Sequence, residues 1–269
     1  MSSQFSKIKV PLLLILAVGI VLAMLRLGVW QLDRAEQKAK LLNQVKGHAQ
    51  LPPVDLFSLL DSFNADERFR NVTATGRYLV DKSIYIDNQV VEGQVGYRVF
   101  TPFLLNDPES QKDSSNTVMV DRGWISVGES RAKLPTFKSA SETQTLLGRL
   151  NTAPSKPPIW NDKYPVSDGS LWQYLPLQEY ATQMHLTVLP LVLELAPESP
   201  SGQIASELES DIENKSEKQF KRIWADINDE WVAKHKGYAV QWFAMAFAFT
   251  IACLVLLIRQ NTASKNSSV

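Results

Sequence analysis

A single cysteine, Cys253, in 269 residues leaves no internal disulfide framework and no paired-cysteine metal or redox motif. Three scattered histidines, His48, His185 and His235, are too few and too far apart for an ordinary zinc cluster. Neither sign of charge is in excess, with 28 Lys and Arg against 28 Asp and Glu. A nucleic-acid binder ordinarily carries a basic surplus to neutralise phosphates, so that partner class is set aside. The glycine-rich phosphate loops, the His-Glu-x-x-His helix and the Gly-x-Ser-x-Gly elbow are all missing. Carboxylates are plentiful, but no spacing singles out a catalytic pair; an active site assembled from scattered residues stays open.

What the chain does have is apolar sequence at its two ends. Val10–Leu25 is uncharged, and Leu27–Leu32 prolongs it beyond Arg26; Gly237–Ile258 is a second uncharged run. A helix needs about 20 apolar residues to cross a bilayer core. The second run meets this directly, and the first does if the Arg26 guanidinium snorkels to the headgroups. Lys7 and Lys9 would suit a secretory signal, but the small-x-small triplet Ala17-Val18-Gly19 falls inside the apolar run, so an uncleaved anchor is expected. Both tails are acid-free, with Lys7 and Lys9 at one end and Arg259 and Lys265 at the other, while the rest of the chain carries 24 Lys and Arg against 28 Asp and Glu. Positive tails favour the cytoplasm. The expected layout is a cytoplasmic tail 1–9, a span 10–32, an outward domain 33–236, a span 237–258 and a cytoplasmic tail 259–269. A bacterial plasma membrane suits a first tail that lacks the Arg- and Ser-rich stretch of an organelle presequence.

The middle domain reads as β-rich, an antiparallel sheet or a partly open barrel, in an α+β membrane protein. Helix formers over Asp33–Lys46 continue the first span until Pro52 and Pro53. Strand patterns follow at Val72–Leu79, Ser83–Val91, Gly96–Leu105, Thr117–Ile125, Thr145–Leu150 and Val188–Leu195, with a helix over Pro176–His185. Glu92-Gly93 predicts a hairpin turn, and polar Asn106–Asn116 a surface loop. Glu198–Lys218, with six acidic residues and few apolar ones, is expected to be a mobile acidic insertion.

Chemistry is suggested where the spans meet the domain. Arg26, Trp30 and Arg34 share a helical face. Trp and Arg at headgroup depth are ordinary belt residues; read functionally, they offer stacking and cationic groups to a flat anionic ligand or a partner helix. His235, Tyr238, Ala239 and Trp242 fall at i, i+3, i+4 and i+7 at the start of the second span. A lone interfacial histidine is usually only that, but an imidazole can also hold haem iron axially, with aromatic walls and nearby cations for the propionates. His48 and His185 have no supporting pattern and are expected to be structural.

Five segments in order, between two spans, resemble the surfeit locus protein one family of cytochrome c oxidase assembly factors. They are Leu27-Gly28-Val29-Trp30-Gln31-Leu32-Asp33-Arg34 with Lys38; Arg70–Leu79 with Gly76; Gly96-Tyr97-Arg98-Val99-Phe100-Thr101-Pro102-Phe103; Asp121-Arg122-Gly123-Trp124, with Asp where the family has Asn; and His235-x-x-Tyr238-Ala239-x-Gln241-Trp242-Phe243. The resemblance implies a non-enzymatic inner-membrane factor that binds haem a and assists its insertion into the oxidase catalytic subunit, with a haem a synthase as a further partner. It places the haem ligand on His235, with Tyr238, Trp242, Trp30 and Arg34 around it. The alternative is a membrane-anchored sensor or scaffold whose outer domain binds a protein and no cofactor. The acidic stretch and the charged run Phe220–Lys234 depart from the family pattern.

Overall fold

The computed structural model describes residues 2–60, 67–107, 112–128, 130–137, 139, 142–154, 156, 166–197, 220–224 and 228–266. The chain forms two compact units, residues 1–45 with 226–269 and residues 46–225. The expected insertion 198–218 lies outside the described residues.

Two helices make the first unit. Helix α1, Ser2–Ala49, runs through the first apolar stretch and the predicted Asp33–Lys46 helix without interruption. The last helix of the chain, here α4, spans Asp229–Asn266 and begins inside the charged run that precedes the second apolar stretch. Their most apolar windows reach a mean hydropathy of 2.7 and 2.2, and only 6% of each window is buried. Apolar helices that keep their side chains outside a protein core suit a membrane anchor. The shielded positions of α1 include 24, 28, 31, 35, 38 and 42, and those of α4 include 232, 235, 239, 242, 246, 249 and 253. Alternating steps of three and four are the seam of a left-handed helix pair. The contact order Gly28–Phe243, Gln31–His235, Lys38–Trp231 makes that pair antiparallel.

The second unit is built on β2 (Asn71–Tyr78), β3 (Ile84–Val91), β4 (Gln94–Asp107), β5 (Lys112–Ser126), β6 (Gln144–Asn151) and β9 (Thr187–Leu195). Short pieces add to it: β1 (Val54–Asp55), helix α2 (Leu56–Leu59), β7 (Ser167–Asp168), β8 (Leu171–Trp172) and helix α3 (Leu177–Met184). The order β2-β6-β9-β5-β4 closes on itself because β4 also pairs with β2, through Gly76↔Leu105 to Tyr78↔Phe103. The result is a partly closed barrel whose long β4 leaves the ring to carry β3, β8 and β7. The sheet is mixed rather than purely antiparallel: β5–β9, β1–β2 and β3–β8 are parallel.

Period-two alternation fills the barrel. Val72, Ala74 and Tyr78 of β2, Phe103 and Leu105 of β4, Val118 and Val120 of β5, Leu146 and Leu150 of β6, and Leu191, Leu193 and Leu195 of β9 meet inside. Met119 and Val192, one position out of phase, face the opposite side and pack with Phe100, Trp172 and Tyr180 of α3. The hairpin turn forms where predicted: Glu92 and Gly93 have φ of 50° and 78°, the left-handed pair that a two-residue hairpin requires. The predicted loop Asn106–Asn116 is shorter than expected. β4 runs to Asp107 and β5 starts at Lys112, because Asn106↔Asp113 and Asp107↔Lys112 prolong the ladder past an irregularity. Polar composition marked a surface hairpin end, not the end of backbone pairing.

Candidate functional site

The helix pair holds the residues that the sequence singles out. Gly28 is what lets α1 approach α4: a Cβ there would stand 2.5 Å from the Phe243 ring. One turn along α1, the Gln31 Oε1 lies 2.7 Å from Nδ1 of His235. His235 is half-buried on the seam, and among the described residues no hydrogen bond engages its Nε2. Ala239, a turn further, is buried at 1% exposure, whereas Tyr238 is 53% exposed. The four residues that share one face by spacing therefore divide: His235, Ala239 and the half-buried Trp242 follow the seam, and Tyr238 points away from it. Trp30 is 44% exposed on α1, with the Arg34 guanidinium 5.7 Å from its ring centre. Arg34 also donates to Gln37 Oε1 at 3.0 Å. The α1 side chain that reaches His235 is Gln31, beside Trp30 in sequence and about 100° away around the helix. Beyond it, the Lys38 ammonium stands 4.7 Å from the Trp231 ring centre.

The remaining histidines have structural work. His48 Nδ1 is 2.7 Å from the Arg68 carbonyl oxygen. His185 ends α3 in the left-handed conformation, φ 53°, where its backbone N–H closes the last turn.

The barrel has a polar site of its own, which sequence reasoning only partly anticipated. Arg149 of β6, Glu194 of β9 and Asp121 of β5 are register partners across three strands. Arg149 Nε donates to Glu194 Oε2 at 2.8 Å, and Asn151 Nδ2 donates to Glu194 Oε1 at 2.9 Å. Arg98 of β4 donates to Glu194 Oε1 at 3.1 Å and pairs with Asp121 as well. Asp121, Glu194 and Arg149 are buried. Burial pushes the Asp121 carboxyl above its ordinary range; Arg98 opposes that shift without cancelling it. Arg98, Asp121 and Glu194 line a cleft of about 210 Å³, whose wall includes Trp124, Lys221 and Trp224. Trp124 and Trp224 donate their indole N–H to the carbonyls of Gln89 and Leu195, both at 2.9 Å.

The segment Asp121-Arg122-Gly123-Trp124 explains its own composition. Val99 pairs with Gly123 and Phe100 with Asp121, so Arg122 is the extra residue of a β-bulge. The bulge turns its guanidinium inward, 4.3, 5.0 and 4.9 Å from the ring centres of Tyr78, Phe137 and Phe220. Desolvation there lowers its pKa. Gly123 has φ of 116°, and a Cβ would stand 2.8 Å from the Lys221 carbonyl oxygen, so only glycine fits against that backbone. Glu194 and Arg149 went unnoticed in the sequence. Their signal was a charge inside each of two otherwise apolar strands, Leu191–Leu195 and Leu146–Leu150.

The SURF1 family profile matches residues 18–247, which take in the barrel and part of each long helix. The chain belongs to the SURF1 family. An uncharacterised SURF1-like protein of Mycobacterium tuberculosis is 30% identical over 182 residues, 65% of this chain and 63% of the relative. The chain thus spans less than two thirds of the mycobacterial relatives' length. The SURF1-like protein of Rickettsia felis is 24% identical over 245 residues, 90% of this chain and 94% of the relative. The cytochrome oxidase assembly protein SHY1 of Saccharomyces cerevisiae is 31% identical over 101 residues, 37% of this chain and 24% of the relative.

Proposed function

We propose that this SURF1-family chain is a non-enzymatic assembly factor for cytochrome c oxidase that holds haem a and presents it to the oxidase catalytic subunit. Family membership and likeness to the yeast cytochrome oxidase assembly protein support the assembly role. The two apolar helices support anchoring in a membrane, here a bacterial inner membrane with both tails in the cytoplasm and the barrel outside. A haem a synthase is the natural donor partner, because it makes the group to be held.

The observation that carries the haem reading is the state of His235. Its Nδ1 is bound by Gln31 and its Nε2 has no hydrogen-bond partner among the described residues, so the imidazole has one nitrogen available to a metal. The residues present fit the group in kind. Tyr238 and Trp242 supply aromatic surface on the same helix, and Trp30 supplies it on the other. Arg34, Lys234 and Lys236 supply cations in the flanking turns for haem carboxylates. When bound, haem a would supply an iron centre that the His235 imidazole could hold.

The test is His235→Ala in the full-length protein, purified in detergent from cells that make haem a. Haem a content should fall to near background, while expression and membrane insertion persist because alanine keeps helix propensity. His48→Ala and His185→Ala should leave haem content unchanged. Unchanged haem in His235→Ala would overturn the ligand assignment and favour the cofactor-free scaffold.

A further inference from the structure

The geometry points to Gln31 as the positioning residue that fixes which nitrogen of His235 faces a metal. The inference rests on the haem reading above. A glutamine carbonyl oxygen can only accept a hydrogen bond, so Gln31 Oε1 at 2.7 Å from Nδ1 requires the proton on Nδ1. A neutral imidazole protonated on Nδ1 carries its lone pair on Nε2, and only that lone pair can bind iron. Histidine in water prefers the opposite tautomer, with the proton on Nε2. Gln31 therefore holds the ring in the form that it would otherwise leave.

The arrangement has the parts that metal-ligating histidines ordinarily require. Such a ring donates its second N–H to an acceptor, which fixes its rotation and raises its basicity as a ligand. Here the acceptor comes from the other helix, so the ring is held across the seam rather than within its own turn. Gln31 is itself half-buried, and the close Gly28–Phe243 approach one turn away keeps the two backbones near enough for the bond to form.

A register-fixing role alone would look similar, since a polar pair on an apolar seam can specify how two helices align. That role needs a hydrogen bond but is indifferent to its direction. With glutamine's amide turned over, its NH2 would donate to Nδ1 and the ring would carry its proton on Nε2, useless to iron. The direction of the bond is what separates the two roles.

The experiment uses the full chain in detergent micelles with ¹⁵N-labelled histidine, without haem and at mildly alkaline pH. His235 signals are identified by their loss in His235→Ala. The wild type should show a protonated Nδ1 and an unprotonated Nε2 at His235. Gln31→Leu, of similar size and without an acceptor, should move the proton to Nε2, while Gln31→Glu, which keeps an acceptor at the same reach, should hold it on Nδ1. A second arm titrates the same proteins with haem a and follows the Soret band. Gln31→Leu should bind about 10–100-fold more weakly than wild type, the usual cost of losing such a support, and Gln31→Glu should keep binding. It should also stabilise ferric over ferrous iron, because a stronger acceptor makes the imidazole a better donor.

Nε2 protonation in the wild type, or an unchanged tautomer in Gln31→Leu, overturns the inference whatever haem does. Wild-type haem affinity in Gln31→Leu, with binding abolished in His235→Ala, overturns the positioning role and leaves the ligand reading standing. Wild-type affinity in His235→Ala overturns both as statements about haem.

Discussion

The two units bury polar side chains in different ways. In the barrel, Arg149, Glu194, Asp121 and Arg98 form a chain of opposite charges in which each carboxylate has at least one guanidinium. In the helix pair, Gln31 and His235 share one hydrogen bond, and among the described residues one imidazole nitrogen is left over. A network in which every carboxylate is paired stabilises or specifies a fold, even though Arg149 Nη2 has no hydrogen-bond partner among the described residues. A pair that leaves a competent atom unused is the better candidate for chemistry. The more conspicuous cluster is thus the weaker functional lead.

The contrast is sharpest if each site is broken in turn. Arg98→Ala leaves Asp121 facing Glu194 across neighbouring strands without the guanidinium that bridges them. Removing one partner of a buried ionic group typically costs about 3–5 kcal/mol. Because a third of the Arg98 side chain meets solvent, about 3 kcal/mol is the expected loss. Denaturant unfolding of the barrel, followed by tryptophan fluorescence, measures it. His235→Ala removes one neutral hydrogen bond and should cost only about 1 kcal/mol in the helix pair. Comparable losses at the two sites would erase the distinction.

Gly28→Val ranks next. The first added carbon would meet the Phe243 ring at 2.5 Å, so the ring must turn or the helices must separate. Overpacking of this kind costs about 1–3 kcal/mol. Cysteine cross-linking between 31 and 235, on a background lacking Cys253, should slow if the helices separate. It should be unchanged if Phe243 merely turns.

Much of the barrel was legible because one face of each strand is buried, which imprints a period of two on the sequence. Val72, Ala74 and Tyr78 show it, as do Leu191, Leu193 and Leu195. The Glu92-Gly93 turn was legible because few residues adopt two successive positive φ values. The parallel β5–β9 pairing was not, since nothing local to either strand names a partner so distant in sequence. The seam was half legible. His235, Tyr238, Ala239 and Trp242 share a face of an isolated helix, but steps of seven centred on His235, Ala239, Trp242 and Ala246 appear only once a second helix is known to pack there. Gln31 stood in a quoted motif with no reason to be chosen. Its role depends on a contact with a residue 204 positions away.

The smallest expected effect is the most informative about the barrel network. Asp121→Asn puts at this position the residue that the family pattern carries, and the new amide oxygen can still accept from the Gly123 N–H, now 3.0 Å from Asp121 Oδ1. The substitution removes a charge that burial disfavours and that faces Glu194, but it also weakens the bond to Arg98. These oppose each other, so at neutral pH the change should be within about 1 kcal/mol of zero. The pH dependence gives the sign. With its native pKa raised, Asp121 binds its proton more tightly in the folded state than in the unfolded chain. Between about 3.9, the unfolded value, and the raised native value, the folded state therefore holds more protons, and stability falls as pH rises through that window. Above the native value the loss is complete and the curve levels. Asp121→Asn should remove this descending step while leaving the contributions of the other carboxylates in place. Unfolding midpoints of the two proteins, measured across the acid range, should converge at the lowest pH if the step is the main difference and diverge as pH rises, with the Asn variant gaining. A gap that instead closes as pH rises would mean that Arg98 outweighs burial and holds Asp121 ionised.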